Sequence, residues 1–208
     1  WVTRLRERGA GCSAAVLAVA ARGARVTLTD RAAVLPLLWR NAALNGTLAA
    51  DVRELSWEEA EAADFRAGDG RPYEVVVGTD LVALDPDRAP GEAPFAALGH
   101  VLGTMVDEAP SCVALLVFEE RGDLTLENLG SLFAPLARRG ELWEYRPPQE
   151  SESGSAGAST GCRLRYLCLQ GQPSDSCTVG GLRGWRELFG SGAEFRQWTA
   201  DGFDPCSL

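Results

Sequence analysis

The sequence predicts an α/β fold, a doubly wound sheet of mostly parallel strands with helices on both faces. Three observations carry that prediction. Short β-rich apolar runs alternate with longer helical patterns along the chain. A glycine turn opens the first of those helices, in "ERGAGCSAAVLAVAARGARVTLTD" from Glu7 to Asp30. Runs such as "YEVVVGTD" and "SCVALLVFEE" are apolar at successive positions, as strands covered on both faces are. A chain of 208 residues suits one domain with a real core, and its 46% hydrophobic content excludes global disorder.

Taken in order, "TRLRERG" is the first strand. Ser13 can cap a helix over "AAVLAVAAR", and Gly23 stands where a left-handed residue ends it. "ARVTLT" is the second strand and ends at Asp30. "RAAVLPLLWRNAALNG" is helical, opened in its main part by Pro36 and ended by Asn45 and Gly46. "DVRELSW" is the third strand, and residues 58–72 are acidic and poorly patterned, a loop or weak helix. "YEVVVGTD" and "SCVALLVFEE" are strands buried on both faces, each followed or preceded by the helices "APFAALGHVLGTMVDEA" and "LENLGSLFAPLARRG". "ELWEYRP" and "CRLRYLCLQ" form a closing antiparallel hairpin. The low-complexity segment between them, 147–161, is expected to be a disordered loop. Residues 1–170 thus form one domain, and the Gly-rich tail 171–208 stays unassigned.

The first strand conflicts with its place. Alternation puts Arg4, Arg6 and Arg8 on one face, with Leu5 and Glu7 on the other. Burying one unpaired arginine costs several kcal/mol, comparable with a domain's whole margin of stability. That face is therefore open to solvent, or the strand is displaced, or these first residues are not authentic.

The net charge of -9, from 20 basic and 29 acidic residues, disfavours a nucleic-acid surface and draws basic partners. No apolar run approaches the roughly 18 residues of a membrane span, so no membrane partner is expected. The start has no apolar signal core, and Trp1 in place of an initiator Met reads as a fragment or a misplaced start. The six cysteines include no CxxC, which argues against a zinc site and for free thiols in a reducing compartment. A cytoplasmic or nuclear monomer is the expectation.

In doubly wound sheets ligands sit beyond the C-terminal strand ends. Gly9, Gly11, Asp30, Trp57 and Asp80 all fall at such ends and should converge. Bare glycines let backbone N–H groups approach a ligand, and an acid after the next strand can accept two bonds from a ribose diol. "GAGCSA" also satisfies the dinucleotide fingerprint G-x-G-x-x-A, and a turn that holds nothing is the bland alternative. Glu7 would oppose a pyrophosphate but could neutralise an amino group. Trp57 offers a ring for stacking a base, although a core tryptophan would read the same. Together they suit S-adenosylmethionine, a cation with an amino acid tail, better than NAD.

With those residues in view, "ERGAGCSAAVLAVAARGARVTLTDRAAVLPLLWRNAALNG", then "ELSW", then "YEVVVGTDLVALDP", resembles the family-16 methyltransferases. These are seven-strand, Rossmann-like class I enzymes dependent on S-adenosylmethionine, many of them protein lysine methyltransferases. The likeness spans roughly residues 5–120. It implies that Glu7, Gly9 and Gly11 lie on the cofactor's amino acid side. By the same likeness Asp30 falls at its ribose, Trp57 at its adenine, and Thr79 where cofactor and substrate meet. Asp80 becomes the candidate catalytic residue on the substrate side, with a capping role as its alternative. Ser13 replaces the third motif glycine and Ala83 the tyrosine of the D-x-V-Y pattern. The family's Trp-bearing segment ahead of the first strand has no counterpart here, which implies an open site.

A methyl donor of this kind needs an aligned nucleophile more than a general base. That matters because His100, in a helical pattern, is the only histidine and no G-x-S-x-G elbow accompanies it. The resulting expectation is a protein-lysine methyltransferase. A catalytically inactive interaction module of the same fold is the alternative, favoured by Arg6, Arg8, Ser13 and Ala83. An NAD-dependent oxidoreductase is the third.

Overall fold

The structure, a computed structural model, describes residues 4–8, 14–46, 50–81, 92, 95–119, 126–146, 164–171, 194–199 and 202–203. Gly9, Gly11, the Ser13 cap, Ala83 and the 147–161 linker lie outside the described residues.

The described strands form one sheet. Its strands are β1 (Arg4–Arg8), β2 (Arg25–Asp30), β3 (Ala50–Glu54), β4 (Val75–Thr79) and β5 (Val113–Glu119), then β6 (Gly140–Arg146), β7 (Leu164–Gly171), β8 (Glu194–Thr199) and β9 (Gly202–Phe203). Their order is β3-β2-β1-β4-β5-β7-β6-β8-β9. The first five pair in parallel and the remainder antiparallel, with β7 inserted between β5 and β6. Among the described residues the sheet has nine strands, because β8 and β9, from the tail left unassigned above, extend the β6 edge.

Helical spacing decides what covers each face. On α1 (Ala14–Ala20) and α2 (Leu35–Leu44), Leu17, Ala20, Leu38 and Ala42 are buried against Val26, Leu28 and Val52. On α3 (Ala96–Glu108), Leu98, Val101, Leu102 and Met105 repeat at three- and four-residue intervals. Leu129, Leu132, Phe133 and Leu136 do the same on α4 (Leu126–Ala137). Both sets pack in one cluster with Val76, Ala114, Leu116, Phe118, Leu142, Leu167 and Leu169.

The glycines end the first two helices as the sequence suggests. Gly23 and Gly46 take φ of 94° and 64°, and Pro36 occupies the first turn of α2. Residues 58–72 hold a 3-10 turn, Ala62–Phe65, closed by a reciprocal Glu61–Asp64 capping box. That turn buries Phe65, and the Tyr73 hydroxyl donates to Thr27 Oγ1 at 3.0 Å in the interior.

In one respect β4 and β5 depart from the expectation of burial on both faces. Val76, Ala114, Leu116 and Phe118, which face α3 and α4, are buried, but Val75, Val77, Val113, Leu115 and Val117 are only half-buried. Among the described residues no helix is long and apolar enough to cross a membrane.

Candidate functional site

The site follows from the register of three adjacent strands. β1 lies between β2 and β4, and its last residue, Arg8, is level with Thr29 on one side and Gly78 on the other. The next residues along, Asp30 and Thr79, therefore stand at one rim on either side of the β1 end. They are two strand spacings apart, about 10 Å. Glu7 sits one step back, level with Leu28 and Val77. Topology thus brings Glu7, Asp30, Thr79 and Asp80 to the same end of the sheet.

Asp30 is half-buried, and its Oδ1 accepts a 2.8 Å bond from the Arg31 backbone N–H. This contact holds the carboxylate at the β2 end. The Asp30 carbonyl accepts from the Leu55 N–H at 3.0 Å. That bond draws the chain leaving β3 over the end of β2 and delivers Trp57 two residues later. Trp57 is half-buried and packs against the cluster that contains Leu55, Phe65 and Leu81. Trp57 thus has core contacts without being fully buried.

Thr79 is half-buried and ends β4. Asp80 follows it, exposed, with φ of 55°, the left-handed region; no other described non-glycine residue has a positive φ. Aspartate tolerates that region better than most side chains. The Asp80 N–H donates to the Val117 carbonyl at 2.7 Å, which locks the turn to β5. Gly78 permits the turn, because a Cβ there would collide with the Leu81 and Leu116 side chains. Leu81 can then fold back and be buried while Asp80 remains at the surface.

Other reactive groups do not join this rim. His100 is exposed on α3. Cys112 and Cys168 are free thiols. Burial, followed by the charge of Glu141, pushes Cys168 up to about 12, so it is no thiolate near neutrality. Among the described residues no group of three or more His, Cys, Asp or Glu could hold a metal ion. Two residues were missed by sequence reasoning, Tyr145 and Tyr166. They are paired across β6 and β7 with ring centroids 5.5 Å apart. Their aromatic type was visible in "ELWEYRP" and "CRLRYLCLQ", but the register that joins them was not.

Comparison with known proteins bears on the family and the fold. A family model described as lysine methyltransferase matches residues 3–129. No curated protein matches the chain. Among solved structures, an rRNA methylase from Streptococcus thermophilus superposes with a TM-score of 0.56 at 10% identity, over 83% of this chain and 89% of that one. A TehB-like S-adenosylmethionine-dependent methyltransferase from Corynebacterium glutamicum gives 0.52 at 11%, over 82% and 80%. The S-adenosylmethionine-dependent methyltransferase SibL gives 0.52 at 14%, over 83% and 51%, so this chain spans about half of that relative's length. At these identities the likeness is one of fold.

Proposed function

The chain belongs to the lysine methyltransferase family, whose enzymes depend on S-adenosylmethionine, and on that premise we propose that it methylates a lysine side chain in a basic protein segment. The observation that carries the proposal is the shared rim, with Asp30 on one side of the β1 end and Thr79 and Asp80 on the other. The donor set fits a sulfonium nucleoside. Asp30 is a half-buried carboxylate at the β2 end, the kind of group that accepts from a ribose diol, and Trp57, half-buried two residues past Leu55, supplies an indole for a base. Glu7 on β1, followed in sequence by Gly9 and Gly11, provides an anion and bare backbone for an ammonium and carboxylate tail. Bound there, the cofactor supplies an electrophilic methyl group.

The protein's own task is then to present a neutral amine in line. A lysine with a pKa of about 10.4 pays roughly 4–5 kcal/mol to lose its proton near pH 7. Partial desolvation beside half-buried Thr79 lowers that cost, and the Asp80 carboxylate orients the amine from the substrate side. Asp80 is accordingly the candidate catalytic residue. The test is labelled methyl transfer into lysine-bearing basic peptides and into cell extract. Transfer that Asp80→Asn lowers at least tenfold, with cofactor binding retained, supports the assignment. Transfer unaffected by that substitution removes Asp80 from it.

One observation favours a second reading, a non-catalytic interaction module. Arg6 lies on a strand flanked on both sides, in register with buried Thr27 and buried Val76. A chain that folds but takes up no cofactor would bear out this alternative.

A further inference from the structure

We infer that Tyr145 and Tyr166 form a cation-binding subsite for the acceptor, holding a Lys or Arg three or four residues from the methylated lysine. The inference rests on the function proposed above and adds a specificity element to it. Thr79 pairs with Val117, Val117 with Tyr166, and Tyr166 with Tyr145, a lateral row from β4 to β6. Partners across neighbouring strands share a face, so both tyrosines lie on the face that carries Thr79. This is the face turned away from α3 and α4, since the residues packed on those helices are Leu116, Phe118, Leu142 and Leu167.

Both rings are half-buried and tilted at 59° to each other. The negative face of an aromatic ring attracts a cation. Strand spacing puts Tyr166 about 10 Å and Tyr145 about 14 Å from Thr79. An extended peptide rises about 3.3 Å per residue, which sets the three- to four-residue offset. A net charge of -9 favours the approach of such a segment.

The experiment uses the full chain and a labelled peptide with one lysine and one arginine four residues away, against the same peptide with that arginine replaced by alanine. The expected result is that Tyr145→Leu with Tyr166→Leu weakens binding of the arginine peptide about 5-fold or more. The alanine peptide should be equally weak with either protein, while Tyr145→Phe with Tyr166→Phe stays near wild type. S-adenosylhomocysteine affinity should not change in the leucine protein. Should that protein not fold, ring-proton shifts in the wild type answer the same question. Tyr145 and Tyr166 should move on adding the arginine peptide, while buried Tyr73 stays still as the internal reference.

Equal affinity of wild type and leucine variant, or loss independent of the arginine, overturns the inference, as does a wild type that binds neither peptide. Arginine-dependent binding to the tyrosines without cofactor uptake would instead sink the methyltransfer reading and leave the subsite standing.

Discussion

At Asp80 a left-handed φ of 55° meets an exposed carboxylate at the end of the central strands. A Cβ in that region costs about 1–2 kcal/mol, which glycine does not incur. Asp80→Gly should therefore melt at or above the wild type, and Asp80→Val about 1–2 kcal/mol below it, by chemical denaturation. Equal stability of the two variants would show that the turn is unstrained. Cys168 makes a pH prediction. Its folded pKa of about 12 lies above the thiol's ordinary value of 9.0, so the folded state keeps the proton longer. The contribution is complete below about pH 9 and is lost as pH rises towards 12, so stability should fall across that window. Cys168→Ala should flatten the fall. A variant with the same alkaline profile as wild type would assign the fall to another group.

Single elements show where the sequence was legible. The spacings of α2, α3 and α4 were readable because each buried stripe repeats at three or four residues, while Gly23 marked the end of α1 and Pro36 and Gly46 the two ends of α2. Phe133, fully buried on α4, should cost about 3–5 kcal/mol when changed to alanine, read from urea unfolding; a loss under 1 kcal/mol would contradict its core position. Tyr73→Phe should cost about 1–3 kcal/mol because it strands Thr27 Oγ1 in the interior. The apolar runs of β4 and β5 were less informative. They record that no residue there needs water, not whether a helix covers each side, and the structure half-exposes every second position. In β8, "EFRQWT" lacks the period-2 apolar alternation of a strand, because Phe195 and Trp198 stand three positions apart, and the Gly-rich stretch before it hides which strand it joins.

Across the whole molecule, the candidate site was legible wherever it depends on strand ends and hidden wherever it depends on register. Asp30 and Asp80 could be placed from the β–α alternation alone, since every parallel strand must deliver its C-terminal residue to the same rim. Tyr145 and Tyr166 could not, because β7 returns between β5 and β6 and no local pattern announces that insertion. The conflict at Arg6 was visible from the outset, and its flanking by β2 and β4 sharpens it. The choice between an active transferase and an interaction module therefore turns on one binding event. Calorimetric titration of the purified chain with S-adenosylhomocysteine, beside Asp30→Ala, tests it most directly. A single saturable site that weakens at least tenfold in the variant is the predicted result; a flat trace from a folded wild-type chain would contradict it.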